Sequence, residues 1–537
     1  MTSPPTDRPT DPLTAEVFRN ALAVAAEEAG IVVVRGAHST FIVEGADAAA
    51  AVLDAEGHLV AQSQSTSLSH AASLRSSLPP VLARHPAAGM APGDVFVTND
   101  VYGGGIHAND LIVFRPVFVE GEARWFTGTL IHVADLGGLS AGGMAADATD
   151  VFLEGLQLPP VRLATAEGPV ADIEALLAAN SRQPDKLLGD VRALVAGTAV
   201  AARRVDELVA AHGPDGFAAG VTAAWDYAER RMRQEIAGLA DGTYRGAYPI
   251  DDDGQVPGRE LWVRVTAEVA GDTIRIDFTG TDDQVPAAVN AGASQVLSGV
   301  LYAVRSFVDA TIPMNEGCFR PIEVVLPEGS LVNPTRPYPG GGRHIAVCAA
   351  VEALYEALAQ ASPEHTVAAS GILQGFSIGG RRPDGRHWLH MAFDFGGSGA
   401  RRGLDGLDAA GGLFGGGRNL IPQVEPIEAA VPLRFEAVEL IPDSGGAGRW
   451  RGGRGTRTVI ELLDDALVDT RGDRLRLPPP GRDGGSPGRP GSYRRRRPDG
   501  TEEVLPAKAT NLRFERGDRF VMETSGGGGL GAPPPGA

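Results

Sequence analysis

The sequence predicts an α+β protein, a mixed, Gly-rich, multi-layer fold made of several subdomains. Three observations point there. Residues 170–240 carry apolar side chains at intervals of three and four, while the stretches on either side read as short strands. The 71 Gly and 39 Pro, beside only 6% aromatic residues, suit many tight turns between short elements and argue against a coiled coil or helical repeat. A chain of 537 residues is long enough to bury a large core in two to four units.

Residues 1–12 are rich in Pro and Asp and are expected to be disordered. From Pro12 to Ala29 the spacing of Leu13, Val17, Ala21, Val24 and Ala25 is helical, with Thr14 as N-cap, and the apolar run Ile31–Val34 follows. Ala48 to Val60 reads as a hairpin turning at Asp54–Gly57. Asp94–Thr98 is a short strand leading into the turn Tyr102-Gly-Gly-Gly105. Leu111–Val119 and Arg124–Val133 are buried strands joined at Glu120-Gly121-Glu122, so residues 107–110 and 132–135 should meet. Helices are predicted at Ile173–Ala179, Lys186–Ala211, Val285–Val308 and Ile345–Ala361, and a hairpin at Leu261–Val269 and Thr273–Phe278 around Gly271-Asp272. From about residue 385 the chain is Gly-rich with short strands such as Trp388–Phe395 and Thr456–Leu463, and residues 477–492 form a Pro/Gly loop. The organisation expected is a region 13–523 in four parts (13–169, 170–240, 241–384 and 385–523), followed by a Gly/Pro-rich tail, 524–537.

Hydrophobic and charged shares of 43% and 21% are ordinary for a globular protein. A net charge of −19 argues against a nucleic-acid partner, because phosphate binding needs clustered Lys and Arg. The one basic run, Arg494–Arg497, reads as a solvated loop. Two cysteines far apart, Cys318 and Cys348, exclude a disulfide framework and a Cys-ligated zinc site. No basic-then-apolar leader opens the chain and no apolar run reaches the roughly 18 residues that span a bilayer, so no membrane partner and a cytoplasmic location are expected.

The sharpest chemical pattern is doubled: His107-x-x-Asp110 and His132-x-x-Asp135. Imidazole and carboxylate suit Zn²⁺, Mn²⁺ or Fe²⁺. The bland alternative is two histidines hydrogen-bonded to nearby carboxylates in a polar core. Glycines before His107 and after Asp135 favour a ligand site, since backbone can approach a bound group there. His70 and His38 are further candidates that, taken alone, are more often structural, while His387 and His390 fall on opposite faces of one strand. Gly340-Gly-Gly342-Arg343-His344 precedes a helix and is a candidate anion site. No Walker-type motif, dinucleotide fingerprint or nucleophile elbow occurs.

These motifs line up in order with a known family. Gly93-Asp-Val-Phe-Val-Thr-Asn-Asp100 followed by Gly104-Gly-Ile-His107-Ala-Asn-Asp110 resembles the N-methylhydantoinase B family, which includes hydantoinase B subunits, the B half of 5-oxoprolinase, caprolactamase B-type subunits and the alpha subunit of acetone carboxylase. His132-Val-Ala-Asp135-Leu-Gly-Gly138, Phe152 to Pro160, Asp277 to Thr281 with Asn290, Pro313 to Pro321, Pro327 to Pro334, Asp443 to Gly453 and the Gly526–Gly531 stretch agree as well. The resemblance implies a divalent metal on His107, Asp110 and His132; beside it, Asp135 is the candidate for orienting a ligating histidine and His70 a second catalytic candidate. It implies an A-type partner carrying ATP and Mg, a hetero-oligomer, and hydrolysis of a small cyclic amide whose tetrahedral oxyanion the partner's ATP phosphorylates. ATP-dependent ketone carboxylation and a non-catalytic partner subunit are the alternatives. The chain departs from the family at Glu44-Gly-Ala-Asp47, where Glu-Arg-x-Asp is usual, at Ile131, where a second histidine is frequent, and in Ile106, Ala108 and Asn109 around the first ligand. The ligands survive these changes; the substrate stays open among hydantoin, 5-oxoproline, a lactam and a ketone.

Overall fold

The computed structural model describes residues 12–64, 70–412 and 423–533. The N-terminal segment expected to be disordered lies outside them up to Asp11, and Pro12 opens the first helix. That helix, α1 (Pro12–Gly36), runs past the predicted end and absorbs the run Ile31–Val34. The reason is periodicity: Leu22, Ala26, Ala29 and Val33 are all buried and share one face at spacings of four, three and four.

The first sheet contains β1 (Ala48–Asp54), β2 (Leu59–Gln62), β3 (Val95–Thr98), β4 (Asp110–Val119), β5 (Glu122–His132), β6 (Val161–Thr165) and β7 (Gly168–Pro169). Their order is β2-β1-β5-β4-β3-β6-β7, antiparallel throughout. Alternate residues go to opposite faces. Val95, Val97, Leu111, Val113 and Ile131 pack under α1 and α5 (Pro184–His212), whereas Phe96, Ile112, Phe114, Phe126 and Leu130 pack under α3 (Ala71–Arg84). Both faces are covered, which is why these strands read as continuous apolar runs. The β4–β5 turn is tight, with positive φ at Glu120 and Gly121 (53° and 84°). A short helix, α2 (Thr40–Gly45), precedes β1, and the predicted helical block resolves into α4 (Ala171–Ala179), α5 and α6 (Pro214–Ile236).

A second sheet of order β11-β10-β9-β8 follows, from β8 (Gly242–Ile250), β9 (Leu261–Ala270), β10 (Thr273–Asp277) and β11 (Ile322–Val325). Helices α7 (Ala293–Arg305) and α8 (His344–Ala361) share its core. Helix α7 is shorter than predicted. The Asn290 side chain accepts from Val285 N and donates to the carbonyls of Val285, Ala287 and Pro339, which holds residues 285–290 in a loop.

The remainder builds two sheets packed through Phe376, Ile378, Ile460, Val468, Tyr493 and Phe520. One, β13-β12-β16-β19, uses β12 (Leu373–Arg381), β13 (His387–Phe395), β16 (Ala466–Arg471) and β19 (Lys508–Phe514). The other, β14-β15-β20-β17-β18, uses β14 (Leu433–Leu440), β15 (Thr456–Leu462), β17 (Ser492–Arg496), β18 (Glu502–Leu505) and β20 (Arg519–Glu523), with α9 (Val424–Ala430) beside β14. The basic run is therefore not a loop, as expected, but mostly strand. Arg495 and Arg496 pair across the sheet with Glu503 and Glu502, a complement that the run alone does not reveal.

Residues 524–530, read from sequence as the start of a tail, are buried. The N–H groups of Gly526, Gly527, Gly528 and Gly529 donate in turn to Arg489, Gly453, Ala369 and Ser486, at 2.8–3.0 Å. A Cβ on any of the four would stand 1.9–2.2 Å from a neighbouring carbonyl oxygen, so four glycines in a row are required. Among the described residues no helix is long and apolar enough to cross a membrane.

Asp394 on β13 is 3% exposed, with Thr458 Oγ1 donating to it, and burial pushes its carboxyl up to about 6. The folded pKa exceeds the unfolded value of about 3.9, so the folded state holds this proton more tightly and stability falls as pH rises from about 4 to about 6. Asp394→Asn is expected to shrink that fall and to stabilise the protein at pH 7 by about 1–3 kcal/mol. Denaturant titrations at pH 4 and pH 7 measure both, and no gain at pH 7 contradicts the assignment.

Candidate metal centre

The β4–β5 hairpin brings the predicted ligands together, since Asp110 and His132 are directly opposed in the ladder. His107 enters from the loop before β4, which presses against α3: a Cβ on Gly104 would lie 2.4 Å from the Ser76 backbone. Asn99 clamps that loop. Its Nδ2 donates to Ala108 O (2.6 Å) and Leu156 O (2.8 Å), and its Oδ1 accepts from Leu158 N (2.7 Å).

Three donor atoms converge. His107 Nε2 and His132 Nδ1 are 2.9 Å apart, and each is 3.2 Å from Asp110 Oδ1. Ligands held about 2.1 Å from one ion lie about 3.0 Å apart at right angles and about 3.4 Å apart in a tetrahedron. The triangle fits neighbouring positions around one divalent ion, and all three side chains are at most 4% exposed. Burial, reinforced by Arg343, drives His107 down to about 3, so its ring is a neutral donor. Burial alone would raise Asp110; the Arg343 guanidinium, 3.4 Å from Oδ2, and hydrogen bonding by the two imidazoles outweigh it and hold the carboxyl well below its usual range. A second group of donors, Asp54, Glu56 and His58, lies in a part-exposed turn, where Asp54 accepts from its own neighbours, the backbone N–H groups of Glu56 and His58.

His70 is buried and its Nε2 lies 2.8 Å from Asp47 Oδ1; Asp47 is within electrostatic reach of Asp110 and His132. Asp135 sits differently. Its carboxylate accepts from Gly142 N, Gly137 N, Arg182 N and Arg182 Nη1 (2.8 Å), fixing the loop after His132 to the segment before α5. The glycines ahead of α8, a candidate anion site, receive an internal anion: Glu154 accepts from Gly340 N and Gly341 N, and burial pushes it up to about 7. Arg471 donates to the carbonyls of Gly341 and Gly143 (2.7 Å), tying the C-terminal sheets to the same centre. Cys318 and Cys348 are free and buried, and His390 is buried while His387 is exposed.

Sequence reasoning placed the triad and missed Arg343, Asp47, Glu154, Asn99 and Arg471 as its surroundings. A signal existed for four of them, each lying in a motif singled out for other reasons: Asn99 in 93–100, Glu154 in 152–160, Arg343 beside the glycines and Asp47 in a family position. Arg471 had none.

This α+β chain places two imidazoles and a carboxylate at a spacing that one divalent ion could bridge. Its fold is that of an ATP-dependent caprolactamase from Pseudomonas jessenii, whose crystal structure matches with a TM-score of 0.90, 29% identity, and 98% of this chain and 93% of that one covered. The caprolactamase subunit beta of the same organism is 31% identical over 97% of this chain and 91% of its own length. The family described as hydantoinase B/oxoprolinase matches residues 11–533, and this chain belongs to it. An acetone carboxylase structure shares the fold (TM-score 0.88, 98% of this chain, 76% of that one) at 20% identity.

Proposed function

We propose that this chain is the metal-carrying B-type subunit of an ATP-dependent hydrolase of cyclic amides, acting with an A-type subunit that binds ATP and Mg. The observation that carries the reading is the closed donor triangle of His107, Asp110 and His132. Two relatives support the rest: one is named as a beta subunit, the other as an ATP-dependent caprolactamase. The absence of a Walker-type motif agrees with a nucleotide held by a separate subunit.

A divalent ion (Zn²⁺, Mn²⁺ or Fe²⁺) bound there would acidify a bound water and polarise a ring carbonyl. The chain's own groups do the remainder. Arg343 faces Asp110 Oδ2 and leaves Oδ1 turned to the two imidazoles. Asp47 holds Nε2 of His70, and Nδ1 of that ring has no partner among the described residues. His70 is accordingly assigned the proton transfer to the leaving amide nitrogen. Asp135, through Arg182, is a positioning residue that sets the loop leaving His132.

Purified chain is expected to contain one metal per subunit and to open a hydantoin, 5-oxoproline or caprolactam ring only when the A-type partner and ATP are both present. Mass spectrometry of metal content and chromatographic detection of the ring-opened acid check this. Metal-free protein would remove the basis of the proposal, and turnover of a ketone that requires bicarbonate would identify a carboxylase instead.

A further inference from the structure

Gly341, just ahead of α8, is held at both of its backbone groups. Its N–H donates to Glu154 Oε1, and the other oxygen of that carboxylate accepts from Gly340 N at 3.3 Å. Its carbonyl oxygen accepts from two arginines, Arg343 Nη1 (3.3 Å) and Arg471 Nη1. A Cβ here would stand 2.7 Å from Glu154 Oε1, so the close approach requires glycine. The next residue, Gly342, donates its N–H to Ala288 O. The turn has little freedom, and the residue it delivers is Arg343.

Arg343 bridges that turn and the triad. One amino group rests on Gly341 O, and the other, Nη2, lies 3.4 Å from Asp110 Oδ2. Oδ1 is thereby left to the side of the two imidazoles. Because the guanidinium is a rigid planar fork, a shift of Gly341 moves the end that orients the carboxylate.

Arg471 stands at the far end of this chain of contacts. It lies on β16, in register with Gly375 of β12 and Lys508 of β19, and its second amino group holds Gly143 O (2.7 Å) in the loop after His132. The side chain is 2% exposed and spends its hydrogen bonds on backbone carbonyls, with Glu154 and Asp469 acting on its charge from further off. Burying a guanidinium is costly, and an apolar side chain would serve packing as well. Fixing Gly341 is a role that an apolar side chain could not take.

We propose that Arg471 and Glu154 are positioning residues for the metal centre: by fixing Gly341 they aim Arg343 at Asp110. Affinity for a divalent ion then depends on a side chain of the C-terminal sheets that is not itself a ligand. The inference rests on the metal-centre reading above and adds residues which that reading does not use.

The test is the affinity of the metal-free full chain for Zn²⁺ and Mn²⁺, titrated against a chelating dye. Arg471→Met is expected to weaken it about 10–100-fold, the effect of losing a group that orients a ligand. Arg471→Lys, which keeps one donor for Gly341 O, should lose less. In an Arg343→Met background, Arg471→Met should cost about twofold or less, because the side chain it acts through is gone; independent sites would add their losses in full. Glu154→Gln offers one oxygen where the carboxylate offers two. It should show the same dependence on Arg343, and it carries the test if Arg471→Met does not fold. Ile460→Val, in the core between the C-terminal sheets, should lower the melting temperature and leave the affinity unchanged. Unchanged affinity in Arg471→Met and Glu154→Gln, losses that add in full to that of Arg343→Met, or an equal loss from Ile460→Val overturns the proposal. An unmodified chain that binds neither ion fails the metal-centre reading instead.

Discussion

His107→Ala is expected to abolish stoichiometric metal binding and to lower turnover by more than about 100-fold, with the melting temperature little changed. Losing a residue that merely supports a ligand costs about 10–100-fold in affinity or activity, and His107 supplies one of the three donors itself. Asp110→Asn separates two effects. It removes a donor, and it also leaves the buried Arg343 guanidinium facing a neutral amide. Breaking one side of a buried ion pair costs about 3–5 kcal/mol. Asp47 and Glu154 also bear on Arg343, so a loss toward the lower end of that range is expected. The double variant Asp110→Asn/Arg343→Met should regain most of that stability without regaining metal. Metal analysis beside denaturant titrations distinguishes the two losses, and an Asp110→Asn protein with full metal and full turnover rules out the triad.

Gly527→Ala should have the largest effect on folding. The added methyl would lie 2.0 Å from the Ser398 carbonyl oxygen, and the atom it meets is backbone with further glycine chains behind it. Relief requires moving strand-like segments that Gly527 itself ties together through Gly453 O and Gly446 N. A destabilisation above about 5 kcal/mol, or no soluble native protein, is expected. Gly89→Ala is the control: no atom lies within 4 Å of the new methyl and the backbone is ordinary, so its effect should stay within about 0.5 kcal/mol. Thermal melts of the pair decide the matter, and a Gly527→Ala protein as stable as Gly89→Ala contradicts the packing described.

The centre of the site was legible because it is local. Apolar runs on either side of Glu120-Gly121 define one hairpin, and the register of that hairpin opposes Asp110 and His132. The pocket around it is not local. Arg343 reaches Asp110 from 233 positions away, and Arg471 reaches Gly143 from 328 away, distances over which no periodicity or turn signal operates. Spacing also fixes proximity without fixing direction. The two His-x-x-Asp pairs look alike in sequence, yet Asp110 turns to the imidazoles and Asp135 to Arg182. The same limit explains Arg494–Arg497, whose strand pairing depends on acids that follow it.

The Gly526–Gly529 segment carries a consequence for how the molecule is made. On the ribosome it appears after every chain segment it joins, the earliest of them at Ala369. At about 5–20 residues per second, the carbonyls waiting for those glycines stay without them for roughly ten seconds. The hairpin that opposes Asp110 and His132, with His107 just ahead of it, needs no such delay, because its partners are neighbours in the chain. Nascent protein should therefore pass through an intermediate with the N-terminal sheet already assembled and a C-terminal half still open, the stage at which chaperones and proteases have most to grip.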